Sequence, residues 1–149
     1  MKIAIANDHG AFHLVKAVMA HLDEKGYAYE YFGAYEDDLG RKDIDYPDYA
    51  KAVTDAIRAG KCDTGILLCG TGVGMSMSAN KAKGIRACVC SDTFSAHATR
   101  AHNDANVLCM GERVVGIGLA LDIVDAFLTT EFEGGRHARR VAKIAALEE

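Results

Sequence analysis

Short apolar runs, rich in β-branched or aromatic residues, alternate along the chain with segments whose apolar positions recur every three to four residues. Runs at 3–6, 27–32, 65–68, 85–90 and 107–110 read as strands. Within 11–25, Leu14, Val15, Val18, Met19 and Leu22 stand at helical spacing, and Gly26 follows as a stop. Pro47 opens a second helix at a favoured first-turn position, ending near Ala59. Residues 75–83 and 93–102 predict two more helices, the second capped by Asp92. An apolar stripe over 118–129 and a basic helix at about 138–148, beyond the Glu133-Gly134-Gly135 break, complete the pattern.

Strand and helix alternate throughout, and parallel strands need crossover connections, which helices supply. The expected fold is α/β, a three-layer α/β/α Rossmann-like arrangement around a five-stranded, mainly parallel sheet. With 149 residues, half of them apolar, the chain is expected to form one domain over 1–149. Sheets of this kind bind ligands beyond the carboxyl ends of their strands. That singles out Asn7-Asp8-His9, Cys69 to Gly74, and Ser91-Asp92. The acidic stretch 34–46 is the one long loop, and it reads as a solvated connection in preference to a lid.

Charge narrows the partners. A formal charge of −4 carries no basic field for nucleic acid, so any bound anion must be met by a local cluster. No apolar run reaches the length of a membrane span, and the chain opens on a strand-like segment, so the expected location is cytoplasmic. Five cysteines without a Cys-x-x-Cys pair suggest reduced thiols, neither disulfides nor a zinc site.

The string Leu67-Leu68-Cys69-Gly70-Thr71-Gly72-Val73-Gly74-Met75 passes from strand to helix through alternating glycines, which let successive N–H groups face a ligand. No Gly-Lys-Ser/Thr follows, and Gly-x-Gly-x-Gly is not the dinucleotide spacing, so ATP and NAD are disfavoured. A Cys-x5-Arg phosphatase loop requires arginine where Met75 stands. What remains is a thiol beside a nest of amides at a helix N-terminus, a setting that favours thiolate chemistry and developing negative charge on a substrate oxygen. The residues alone leave two readings of Cys69 open: a base for proton abstraction next to a carbonyl, or a buried small hydrophobe.

Other polar groups cluster at three places. Asp8-His9 follows the first strand, where a carboxylate and an imidazole can meet a sugar hydroxyl or phosphate, or an Asp can simply cap a helix. His102-Asn103-Asp104-Ala105-Asn106 can hold hydroxyls or merely end a helix. In Gly134-Gly135-Arg136-His137-Ala138-Arg139-Arg140, Arg136 and Arg140 share one helix face, and cations at a helix start are unfavourable unless an anion or other charges compensate. His9 and His13 stand four apart but without a Glu-x-x-His motif, so no metal is expected.

Taken in order, Asp8-His9-Gly10, Asp45-Tyr46-Pro47-Asp48-Tyr49, Cys69 to Gly74, Ala79-Asn80-Lys81, His102 to Asn106 and Gly134-Gly135-Arg136-His137 resemble ribose-5-phosphate isomerase type B over essentially the whole chain. The resemblance implies cofactor-free interconversion of ribose 5-phosphate and ribulose 5-phosphate, in the pentose phosphate pathway. It also implies a homodimer or homotetramer with the site between subunits. It makes Cys69 the base that moves a proton between C1 and C2 through an enediolate, with Gly70, Thr71, Gly72, Val73 and Gly74 around the oxyanion. Thr71 would position the reacting hydroxyls, His102 with Asp8 nearby would assist ring opening, and Asn103 would hold a hydroxyl. The phosphate falls to His9, Arg113, Arg136 and Arg140, with His137 as neighbour. A family branch without the cysteine carries a glutamate at the position of Met75; methionine cannot replace it as a base. Isomerases of six-carbon sugar phosphates share the logic, and a non-catalytic sugar-phosphate-binding protein or a metal-dependent hydride-shift isomerase are the rival classes.

Overall fold

The structure, a computed structural model, describes residues 1–38 and 40–148. Five strands, β1 (Lys2–Asn7), β2 (Ala28–Tyr31), β3 (Thr64–Cys69), β4 (Ala87–Val89) and β5 (Val107–Gly111), form one sheet in the order β2-β1-β3-β5-β4. Every pairing is parallel, with Ile5 beside Ile66 and Leu67 beside Cys109. The central strands β1, β3 and β5 are buried along almost their full length, as expected for strands covered on both faces. The two edge strands are shorter than the apolar runs at 27–32 and 85–90 that predict them.

Six helices cover the sheet: α1 (Phe12–Lys25), α2 (Tyr46–Arg58), α3 (Val73–Ala79), α4 (Thr93–Asn103), α5 (Ile117–Thr129) and α6 (Arg136–Ala145). The apolar stripe of α1, with Leu14, Val18 and Leu22, packs on Ile3, Ile5, Ile66 and Leu108 together with Ile123 and Phe127 of α5. Removing each such side chain from water contributes about 1.5–3 kcal/mol. The opposite face carries Ala50 and Val53 of α2 and Met75 and Ala79 of α3, against Ala4, Leu67 and Cys109.

Two helices differ from the expectation by more than a residue, each at both ends. Helix α3 occupies residues 73–79 instead of 75–83, with Asn80 as its C-cap, still right-handed and donating its amide to the Ser76 carbonyl. Its side chain pairs with both backbone groups of Ala87, donating to the carbonyl (2.9 Å) and accepting from the amide (2.8 Å). Helix α6 begins at Arg136 instead of 138, directly after Gly134 and Gly135, both at positive φ. Arg136, His137 and Arg140 therefore all lie on the helix.

The acidic loop is pinned at several points. A 3-10 turn spans Glu36–Asp38, Arg41 bonds Asp38 and Asp43, and Ala34 and Ile44 bury against Phe12. No helix among the described residues is long and apolar enough to cross a membrane.

Candidate active site

Strands β1 and β3 are neighbours, yet the chain leaves them toward opposite faces, β1 into α1 and β3 into α3. This divergence opens a crevice at their carboxyl ends, where α/β sheets bind ligands. The two turns flanking it touch: a Cβ on Gly10 would stand 2.9 Å from the Gly70 amide nitrogen, so only glycine permits the approach. Asp8 is buried here, its amide donating to the Leu68 carbonyl (3.2 Å) and its Oδ1 accepting from the Gly10 amide (2.7 Å). His9 projects beside it and is exposed.

Cys69 ends β3 with only 5% of its surface exposed, and the Gly72 amide donates to its sulfur across 3.0 Å. Gly72 adopts φ 80°, with Met110 backbone atoms 3.0–3.2 Å from where a Cβ would be, so the turn requires glycine on both counts. This turn presents the Gly70, Thr71 and Val73 positions toward the crevice side of the α3 N-terminus, and Thr71 is exposed there. Arg113 follows β5; its amide donates to the Gly70 carbonyl (3.1 Å), and its guanidinium lies 2.9 Å from the Cβ position of Gly70. Asp8, His9, the glycine loop and Arg113 thus form one group at the carboxyl edge of the sheet.

His102, Asn103, Arg136, His137 and Arg140 form a second group elsewhere. Helix α4 leaves the carboxyl edge after β4 and returns antiparallel to the strands, a run of about 16 Å for its 11 residues, so His102 and Asn103 lie at the amino edge. Within one chain, then, His102 is not near Asp8 or Cys69, contrary to the simplest reading of the motif order. Helix α6 packs on the end of α4: the His102 and His137 rings stack at 4.4 Å with a 12° interplanar angle, and Glu133 Oε2 lies 3.4 Å from His137 Nε2. Burial pushes the His137 imidazole below its ordinary range, and His102 and Arg136 push the same way. Arg136 and Arg140 are exposed on α6.

The short polar run 102–106 divides by role. Asp104 accepts from Arg86 and Arg100, and Asn106 accepts from the Arg86 amide and donates to the Gly84 carbonyl. Those two residues fasten the helix exit to the start of β4, which leaves His102 and Asn103 as the pair facing outward. The remaining cysteines are free and do not share the loop setting of Cys69; burial pushes the Cys90 thiol up to about 12, and Cys109 is pushed up as well.

Three neighbours escaped sequence reasoning about roles. Tyr46 packs its ring against Gly74, 2.7 Å from that residue's Cβ position. Glu112 Oε2 accepts from the Leu14 amide at 2.8 Å, capping α1 from a different element. Glu133 joins the two stacked histidines. Tyr46 stands inside the quoted Asp45-Tyr46-Pro47-Asp48-Tyr49 motif without an assigned role, and the sequence sign of Glu112 is adjacency to Arg113.

A cysteine over a glycine turn at the β1/β3 switch point, with an arginine beside it, places the chain among α/β proteins whose ligand crevice can meet an anion. The family model described as Ribose/Galactose Isomerase matches residues 3–144. Ribose-5-phosphate isomerase B of Escherichia coli is 49% identical over 148 residues, covering 99% of this chain and 97% of that protein. A putative sugar phosphate isomerase of Bacillus subtilis is 53% identical over 149 residues, covering 100% and 98%. The structure of ribose-5-phosphate isomerase B from Clostridium thermocellum superposes with a TM-score of 0.93 at 50% identity, covering 99% and 97% of the two chains. The chain belongs to the Ribose/Galactose Isomerase family, as an aldose–ketose isomerase.

Proposed function

We propose that the protein interconverts ribose 5-phosphate and ribulose 5-phosphate at sites completed by a second copy of the chain. The substrate reading is supported by the E. coli and C. thermocellum relatives, both named ribose-5-phosphate isomerase B. The observation that carries the assembly is the division of the motif residues between opposite edges of one sheet. Cys69, Asp8, His9, Thr71 and Arg113 stand at the carboxyl edge, and His102, Asn103, Arg136, His137 and Arg140 at the amino edge. A single chain cannot close the two groups around a five-carbon substrate. A second copy related by a two-fold axis can, because such an axis brings unlike edges together twice.

In the assembled site, Cys69 is the base. Its sulfur takes a proton from C2 of the open-chain aldose and returns it to C1, with the glycine-loop amides holding the enediolate oxygen. The Gly72 amide at 3.0 Å holds the sulfur in place. His102 of the second copy, with Asp8 of the first, exchanges protons with the ring oxygen during opening, Thr71 positions the reacting hydroxyls, and Asn103 holds a hydroxyl. His9 and Arg113 from one chain and Arg136 and Arg140 from the other neutralise the phosphate, with His137 beside them. The whole chain forms one catalytic unit, acting in the cytoplasm.

Hybrid oligomers test this. Cys69→Ala and His102→Ala variants are each inactive alone. After the two are unfolded together and refolded, half the dimers are mixed, and each mixed dimer has one of its two sites intact, so turnover returns to about a quarter of wild type. No recovery on mixing would overturn the shared site. Recovered turnover on a six-carbon sugar phosphate in preference to ribose 5-phosphate would keep the shared site and overturn the substrate.

A further inference from the structure

We propose that His102, Glu133 and His137 form a binding site for one transition-metal dication of the zinc type, with three protein ligands and an open coordination position. The donor atoms, one per residue, all lie within 4.8 Å of one another. Glu133 Oε2 is 3.4 Å from His137 Nε2 and 3.9 Å from His102 Nε2, so the carboxylate already faces both imidazoles. Tetrahedral zinc with bonds of about 2.0–2.1 Å sets its donors roughly 3.3 Å apart. The His137–Glu133 pair is at that spacing, and the half-exposed His102 ring has to swing out of its stack on His137 to aim its Nε2 lone pair at the same ion.

The backbone holds this set together. The Glu133 amide donates to the Ala101 carbonyl at 3.0 Å, next to His102, and the His137 amide donates to the Gly134 carbonyl at 3.0 Å. The ligands therefore come from two elements fixed to each other, with Glu133 and His137 four apart. Two imidazoles and one carboxylate suit zinc, cobalt, nickel or copper, whereas magnesium and calcium prefer all-oxygen shells. Arg136 and Arg140 stand nearby and their charge opposes any dication, so binding here relies on the bonds from nitrogen and carboxylate donors.

A metal here captures the His102 ring nitrogen. Its presence therefore inhibits an enzyme that uses that nitrogen for ring opening, a consequence that rests on the reading above, while the binding itself does not.

Zinc and cobalt(II) alone, titrated into the full protein after chelator treatment, test the site. Calorimetry is expected to show one zinc ion per chain, weakened about tenfold or more by Glu133→Gln and by His137→Gln, with circular dichroism unchanged. Cobalt(II) is expected to give visible bands without thiolate-to-metal charge transfer. Undiminished zinc affinity in Glu133→Gln, or a thiolate band placing the ion on a cysteine, would overturn the proposal. Zinc binding at these residues with unchanged turnover would support the metal site and remove His102 from the mechanism.

Discussion

The Gly72 amide donates to the Cys69 sulfur across 3.0 Å, fixing the thiol at the mouth of the β1/β3 crevice by a bond from its own loop. The loop is also held by bonds that do not need the sulfur, from the Glu112 amide to the Cys69 carbonyl (3.0 Å) and from the Arg113 amide to the Gly70 carbonyl (3.1 Å). Cys69→Ala is therefore expected to abolish isomerisation while leaving ribose 5-phosphate binding within a few-fold of wild type, because only the proton-transfer group is gone. Turnover assays set beside calorimetric binding check this; near-normal turnover would remove Cys69 as the base.

Arg136 lies on the exposed face of α6, one residue from the buried His137. With Arg136 on the phosphate, Arg136→Ala raises KM for ribose 5-phosphate by about tenfold or more, since a charge-assisted bond to phosphate contributes about 1.5–3 kcal/mol. Phosphate-free ribose is affected much less. Equal losses on the two sugars would exclude the phosphate role.

Helix α1 has no side-chain cap of its own, with Ala11 at the N-cap and no acidic residue in its first turn. Glu112 supplies the missing acceptor from across the sheet edge, at 2.8 Å from the Leu14 amide. Glu112→Ala is expected to cost about 1 kcal/mol of stability, and Glu112→Gln less, because the amide oxygen still accepts. Chemical denaturation of the three proteins measures the order.

Tyr31 donates to Asn7 Oδ1 at 2.6 Å, and burial pushes its hydroxyl from 10.0 up to about 12. A pKa raised by folding means that the folded state holds the proton more tightly. The corresponding stability is whole below pH 10 and drains away as pH rises toward 12. Tyr31→Phe is expected to be less stable at neutral pH, having left Asn7 without its donor, but to lose stability less steeply above pH 10. Cys90 and Cys109, also pushed up by burial, keep part of the slope. Unfolding midpoints across the alkaline range decide whether Tyr31 contributes.

Much of the fold was legible because its signals are local. The stripe Leu14, Val18, Leu22 already specifies a helix with one buried face, and Pro47 marks where the next helix begins. The end of α3 is marked by a tertiary contact: its C-cap Asn80 turns its side chain onto both backbone groups of Ala87, seven residues on.

The sequence by itself determined the alternation of strands and helices, the glycine turn that seats Cys69, and the motif residues the site draws on. Tertiary structure decided which of them meet. His102 follows the loop motif along the chain, yet α4 carries it to the far edge of the sheet and against His137 and Glu133. Spacing along a chain records local geometry, whereas the direction in which a helix returns across a sheet depends on packing between elements. That packing separates His102 from Cys69 within one chain.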